Sequence, residues 1–160
     1  MAAVPAGNTC TFYEDTLSLP LFSPDLDAPE LPVAPAVTTL RTRLHAADAV
    51  VIATPEYAYG MPGSLKNALD WLVSAGSFYG KPTSVLSAAP SEMGGERARG
   101  GLLLTLEALG AAVVPAASFP VPLVRTKLDA TGEVTDTAFA AQLSAAMVAL
   151  VAAVPVARFG

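Results

Sequence analysis

Apolar runs of strand length alternate along the chain with longer stretches that place apolar residues at helical spacing. Ala49–Thr54 is an unbroken apolar run, and Thr83–Ala88 predicts a second buried strand, as in parallel sheets covered on both faces. The β-branched and aromatic Thr9–Tyr13 and the short Ala112–Val114 predict two further strands. Helices are predicted from the spacing of apolar positions over Val37–Ala46, Leu65–Val73, Leu102–Leu109 and Thr137–Val154.

This alternation of strands and helices predicts an α/β fold with a doubly wound parallel sheet flanked by helices. Five prolines between Leu19 and Val37 predict an irregular loop there, because proline interrupts helical hydrogen bonding. No internal repeat and no interdomain linker is visible in the 160 residues. The chain is therefore predicted to form a single domain, 1–160.

The composition excludes several classes of protein. With 52% apolar and 14% charged residues, the chain does not have the composition of a disordered protein. A net charge of −5 without basic clusters argues against a nucleic-acid partner. A single cysteine, Cys10, and a single histidine, His45, exclude a disulfide framework and a Cys/His zinc site, so no metal is expected.

Neither a signal peptide nor a membrane span is predicted. The first residues, Met1–Pro5, carry no basic group, and no long apolar segment follows them. The most apolar stretch, Leu143–Val154, is shorter than the roughly 20 residues that cross a bilayer. A cytoplasmic protein without a membrane partner is therefore expected.

Two loops of unusual composition follow the buried strands. In open α/β sheets, ligands bind outside the carboxyl ends of the strands. The first loop, Thr54–Ser64, combines prolines, glycines and two tyrosines and leads into a helix. The second, Ser87–Gly95, is rich in small residues and glycine, which let a ligand approach the backbone closely. Together they predict the walls of a site for a flat, hydrogen-bonding cofactor.

Several sequence strings resemble the NADPH-dependent FMN reductase family, whose fold is flavodoxin-like. Those strings are Val51–Tyr57, Pro62–Leu72, Gly80–Pro82, Gly94–Ala98 and Leu109–Ala111. The combination of Pro-Glu-Tyr with Leu-Lys-Asn-Ala-Leu-Asp-Trp is highly specific, and the similarity extends from about Asn8 to the end of the chain.

The resemblance implies FMN as cofactor, with NADPH or NADH as hydride donor and a small electron acceptor such as a quinone. It places the flavin ring against one group of residues from each loop. The cofactor-binding residues that it implies are Pro55, Glu56, Tyr57, Ala58, Tyr59, Gly60, Ser87, Ala88, Ala89, Pro90 and Gly94. No catalytic side chain is implied, because the cofactor itself carries hydride chemistry.

Two departures from the family pattern alter these expectations. Ala58 stands where the family usually has Asn, and the Gly-Ser-x-Arg-x-x-Ser-x-Asn loop that holds the FMN phosphate is missing together with the first strand. The chain thus resembles a family domain that is truncated at its N-terminus. FMN binding is expected to be weak or absent, and the alternative function is a flavin-free binding or structural homologue.

Loss of the first strand also affects the sheet. In the flavodoxin-like order 2-1-3-4-5, the missing strand would lie beside Ala49–Thr54. Unpaired backbone groups at a buried edge are costly, so either Thr9–Tyr13 moves across to pair with Ala49–Thr54 or another chain fills the edge. The first arrangement is the expected one, because the loop between these segments is long.

Individual side chains leave more than one interpretation open. Glu56 has the chemistry of a catalytic acid but more simply holds its loop or a partner chain. Tyr57 and Tyr59 could pack over the sheet edge, and Arg97 and Arg99 could reach a nucleotide phosphate.

One aromatic side chain predicts self-association. Trp71 is expected to lie on a second, exposed face of the helix 65–72. Proteins that resemble this chain pair through this helix. A homo-oligomer, either a dimer or a tetramer, is therefore predicted.

Overall fold

A computed structural model describes residues 3–155 of the chain; the ends of the predicted domain, 1–2 and 156–160, lie outside the described residues. The helices are α1 (Pro35–Ala46), α2 (Gly63–Asp70), α3 (Glu96–Ala108) and α4 (Thr137–Ala152). The strands are β1 (Val50–Pro55), β2 (Pro82–Ala88), β3 (Ala112–Val113) and β4 (Phe119–Val121). Short 3-10 turns occupy Asp15–Ser18, Pro24–Leu26, Pro115–Ala117 and Val124–Thr126.

All pairings between these strands are parallel, which confirms the predicted doubly wound sheet. β1 pairs with β2 along its whole length, from Val50 opposite Thr83 to Pro55 opposite Ala88. β3 and β4 share the other edge of β2, β3 at its beginning and β4 at its end. β4 was not predicted from the sequence, because it has only three residues and one of them is Pro120.

Two apolar clusters hold the helices to the sheet. The larger one joins buried residues of α1, α2 and α3 to Ile52 of β1 and Val85 of β2. The smaller one joins Ala146 and Leu150 of α4 to Ala117. Within residues 3–155, none of the helices has both the length and the apolar character needed to cross a bilayer.

The predicted helices form, but some of their ends differ. α3 begins at Glu96, six residues before the predicted start at Leu102, because Gly100 and Gly101 conceal the helical pattern there. It ends at Ala108, one residue before the predicted end at Leu109; Gly110 follows with a φ of +72°, and the Ala111 N–H bonds to the Leu106 carbonyl.

The prediction of a strand at Thr9–Tyr13 is wrong. The segment belongs to no strand, and it does not move across to β1, whose only strand neighbour among the described residues is β2. Instead, Arg43 of α1 donates a hydrogen bond to the Phe12 carbonyl at 2.7 Å. Strand-type residues form a strand only where a neighbouring strand pairs with them, and none lies beside this segment.

The expectation that Trp71 lies on an exposed face is also wrong. Trp71 is 1% exposed, its ring meets Phe22 edge-on at 5.2 Å, and its Nε1 donates to the Pro20 carbonyl at 2.8 Å. One turn earlier, Asn67 accepts from the Phe22 N–H and donates to the same Pro20 carbonyl. The proline-rich segment therefore covers the helix face that the sequence pattern left open.

An ion pair between Asp27 and Arg41 holds the proline-rich segment further along the chain. Asp27, whose side chain is 7% exposed, accepts from Arg41 Nη2 at 2.8 Å and from Ser74 Oγ at 2.6 Å. Arg41 also donates to the Trp71 carbonyl. Burial raises the pKa of Asp27, but the hydrogen bonds from Ser74 and Arg41 and the charge of Arg41 outweigh it and hold that pKa below its usual value.

We predict that Asp27→Asn lowers the free energy of unfolding at pH 7 by about 1.5–3 kcal/mol, because charge-assisted hydrogen bonds to Arg41 and Ser74 are lost. A carboxyl with a lowered folded-state pKa stabilises the protein above its unfolded pKa, roughly 3.9, and ceases to do so as pH falls through the folded value. The difference between wild type and variant, measured by denaturant unfolding, should therefore shrink below about pH 4.

Asp25→Asn is the matched control, since Asp25 is exposed and lies two residues before Asp27, on the 3-10 turn that Asp27 follows. This variant should have the same free energy of unfolding as the wild type both at pH 7 and below about pH 4. An Asp27→Asn deficit that persists unchanged at low pH would show that the carboxylate charge is not what stabilises this segment.

Candidate functional site

Three loops meet at the carboxyl ends of β1, β2 and β4. The parallel register places Pro55 opposite Ala88, and Ala88 opposite Val121, so the three strands end at one level. Backbone hydrogen bonds join the loops after β2 and β4: Leu123 N–H to the Ser91 carbonyl at 3.1 Å and Val124 N–H to the Ala89 carbonyl at 3.2 Å. This edge is where an open α/β sheet binds ligands.

The loop after β1 folds into a tight turn. Tyr57 and Gly60 exchange two backbone hydrogen bonds, both 2.9 Å long. The residues between them, Ala58 and Tyr59, have φ values of +48° and +64°. These are the left-handed angles of a type I′ turn, in which Asn and Gly are usual. The N–H groups of Ala58 and Tyr59 form no hydrogen bond within the described part of the chain.

Glu56 connects this turn to the start of α3. Its Oε2 accepts a hydrogen bond from the Ala98 N–H at 2.9 Å. The first N–H groups of a helix lack partners within the helix, and a carboxylate satisfies them well. The contact supports the interpretation in which Glu56 holds its loop.

The tyrosines of the turn do not pack over the sheet. Tyr57 is 66% and Tyr59 69% exposed, and the guanidinium of Arg97 lies 4.0 Å from the centre of the Tyr59 ring. Arg99 differs from Arg97, since it pairs with Glu96 at 3.1 Å and contacts the Ser118 carbonyl. Of the two arginines, only Arg97 presents its side chain beside the turn.

The residues predicted in the second loop differ in what they can contact. Ser87 is fully buried and its hydroxyl donates to the Gly94 carbonyl at 2.9 Å. Ala89 is buried, Ala88 is half-buried and Pro90 is exposed. Gly94 has a φ of +58°, and a Cβ there would meet the backbone of Val121 and Pro122 at 2.7–3.0 Å. Ser87 and Gly94 therefore fix the conformation of the second loop through contacts inside the protein.

Sequence reasoning missed the third loop, which follows β4. Leu123, at its start, has a φ of +50° and is exposed, as is Met93 in the second loop. With Tyr57 and Tyr59 they place four large apolar side chains around the same edge of the sheet. A positive φ at leucine carries no sequence signal, and the short β4 that leads to it was not predicted.

The arrangement suits a flat, hydrogen-bonding ring. Exposed apolar side chains flank the edge, and the Ala58 and Tyr59 N–H groups, which have no partner in the described part of the chain, can donate to ring acceptors. The turn is anchored at Glu56, so these donors are held in place before a ligand arrives.

Known proteins match this chain over most of its length. The sequence model of the NADPH-dependent FMN reductase family matches residues 9–126. An NAD(P)H-dependent FMN reductase of Pseudomonas aeruginosa is 36% identical over 124 residues, which cover 76% of this chain and 66% of that protein. A quinone reductase of Escherichia coli K12 is 35% identical over 136 residues, covering 82% of this chain and 71% of the relative.

A solved structure of a flavoenzyme also resembles this chain. The flavoenzyme NAD(P)H:acceptor oxidoreductase FerB from Paracoccus denitrificans superposes with a TM-score of 0.72 at 30% identity, covering 87% of this chain and 76% of that one. FerB, like the two enzymes above, is therefore longer than the region matched here. With the family match spanning most of the described residues, the chain belongs to the NADPH-dependent FMN reductase family.

Proposed function

We propose that this chain is an NAD(P)H-dependent flavin oxidoreductase that passes hydride from NADPH or NADH to FMN, and from there reduces a small acceptor such as a quinone. Relatives named FMN reductase and quinone reductase support the reaction class. The whole chain, 1–160, acts as one domain of the family. The reaction takes place in the cytoplasm, where reduced nicotinamide is available.

The observation that carries this proposal is the type I′ turn at the end of β1. It offers two N–H groups, from Ala58 and Tyr59, that have no hydrogen-bond partner among residues 3–155 and lie next to the exposed ring of Tyr57. Donors of this kind suit the carbonyl and nitrogen acceptors along the edge of a flavin, and an aromatic side chain suits its face.

Bound flavin supplies the hydride chemistry, so the protein has to bind, orient and shield the reactants. The turn would orient the ring by its backbone donors, and Tyr57, Met93 and Leu123 would limit access of water to it. Ser87 and Gly94 keep the second loop close to β4.

We predict that Tyr57→Ala weakens FMN binding roughly ten- to hundredfold, because stacking of a ring on an aromatic side chain contributes about 1–3 kcal/mol. Tyr57→Phe, which keeps the ring, should stay close to wild type. Fluorescence titration of FMN measures both.

Tyr79→Ala is the matched control: Tyr79 is also an exposed tyrosine, at 85% against 66% for Tyr57, but it precedes β2, at the opposite end of the strand. If Tyr57→Ala and Tyr79→Ala bind FMN alike, the ring is not held at the turn after β1.

A second prediction concerns the affinity itself. The sequence contains no Gly-Ser-x-Arg-x-x-Ser-x-Asn loop to hold the phosphate of FMN. Each charge-assisted hydrogen bond contributes about 1.5–3 kcal/mol, so two missing donors reduce affinity by about two to four orders of magnitude. We expect the purified chain to be colourless and to show flavin-dependent NAD(P)H oxidation only with excess FMN. Submicromolar affinity in calorimetry would contradict this expectation.

We further propose that the chain forms a homo-oligomer on the side where α2 borders β1. Among the described residues only β2 pairs with β1, so the opposite edge of β1 exposes unpaired backbone groups. A groove of about 370 Å³ follows this edge, with Leu40 and Leu44 of α1 and Leu65 and Leu69 of α2 among its walls. β1 has no charged residue that would discourage pairing. A second copy fits this surface, since it would pair the free edge and cover the apolar walls.

Light scattering at micromolar concentration should therefore give the mass of a dimer or a tetramer, and Val51→Lys should shift it to the monomer. Val51 is 40% exposed on β1, and a lysine on an edge strand opposes pairing. Leu104→Lys, on the exposed side of α3 and outside the groove, is the control and should keep the wild-type mass. A monomeric wild type would refute self-association.

A further inference from the structure

We propose that Glu56 and Arg97 are positioning residues that hold the Tyr57–Gly60 turn in its left-handed shape. The role of that shape in binding rests on the proposed function; the two contacts themselves do not. Neither side chain is needed to touch the ligand, and both act through the turn.

The turn has a conformation that its own residues do not favour. Ala58 and Tyr59 both take positive φ, although each carries a Cβ, whereas Gly60, the turn's one glycine, does not. Side-chain-bearing residues hold such angles only where their surroundings impose them, and these cases concentrate at ligand sites. The two hydrogen bonds between Tyr57 and Gly60 close the turn, and we infer that contacts outside it help to hold these angles.

Glu56 supplies the first contact, from the position just before the turn. Its hydrogen bond to the Ala98 N–H is charge-assisted and lies at the positive end of the α3 dipole. Ala98 is fully buried, so water does not compete for this N–H. The contact fixes the chain where it enters the turn.

Arg97, the residue before Ala98, supplies the second contact. Its guanidinium lies over the Tyr59 ring and takes part in none of the ion pairs among residues 3–155. A cation at this distance is attracted to an aromatic face. Two successive residues of α3 thus hold the turn at its entry and at its second left-handed residue. Tyr57, between them, keeps a free ring.

Amide hydrogen exchange in the ligand-free chain tests the two contacts directly. The Tyr57 and Gly60 amides bond across the turn and report whether it is closed. We expect Glu56→Ala to speed their exchange about tenfold or more, and Glu56→Gln, which keeps an acceptor oxygen, to remain nearer wild type. Arg97→Met should loosen the turn less, and Arg97→Lys least, since it keeps the cation. Glu107→Ala, an exposed glutamate on the same helix, is the control.

A rescue variant separates positioning from general destabilisation. Asn adopts left-handed angles more readily than Ala, so Ala58→Asn should restore slow exchange in the Glu56→Ala background. It should also restore FMN affinity, which Glu56→Ala is expected to weaken about tenfold. A general loss of stability would not be repaired by a change at the tip of the turn.

The exchange rates test whether Glu56 and Arg97 hold the turn, and the FMN affinities test whether the held turn matters for binding. Unchanged exchange in Glu56→Ala overturns the proposed contacts, whatever FMN does. Faster exchange with unaltered FMN affinity overturns the positioning role. If the wild type and every variant fail to bind FMN even at high concentration, the proposed function is refuted, while the exchange rates still decide how the turn is held.

Discussion

The central strand β2 pairs with all three of the other strands and so positions the loops that follow them. All but its last residue are buried, β1 pairs along one of its edges, and β3 and β4 divide the other. Because all these pairings are parallel, the carboxyl ends of β1, β2 and β4 lie at one edge, and the register brings Pro55, Ala88 and Val121 level there. The register of β2 with its neighbours therefore positions the candidate site, and the loops that form it are carried by a rigid sheet.

The segment before α1 is irregular but firmly held. Asn67 and Trp71 of the Leu-Lys-Asn-Ala-Leu-Asp-Trp string bind its backbone at Pro20 and Phe22, and Arg41 holds it at Asp27. Proline-rich backbone has few N–H groups of its own to satisfy, and side chains from the helices supply its remaining partners. Residues that identify the family in the sequence therefore serve packing in this region, and the ligand edge lies elsewhere.

Elements that depend on local pattern could be predicted from the sequence; elements that depend on distant neighbours could not. Ala49–Thr54 and Thr83–Ala88 are apolar enough to specify buried strands by themselves, and they form nearly as expected. Thr9–Tyr13 has equal strand preference but no neighbour to pair with, and it remains irregular. Trp71 was misplaced for the same reason, because its covering segment lies about fifty residues earlier in the chain. Strand pairing and helix covering are tertiary properties that local propensity does not contain.

In the candidate site, too, the presence of a loop could be predicted from the local sequence, whereas its conformation could not. Prolines, glycines and tyrosines at the end of a buried strand were enough to predict an irregular loop at this edge of the sheet, because those residues are typical of turns and loops. The shape of the loop was not predictable, since Ala58 and Tyr59 take angles that neither prefers. The strain is sustained by α3, through Glu56 and Arg97, so the shape of the turn after β1 depends on a helix that follows β2. When the cofactor carries the chemistry, the protein has to supply fixed geometry, and a turn held by a neighbouring helix is one way to provide it.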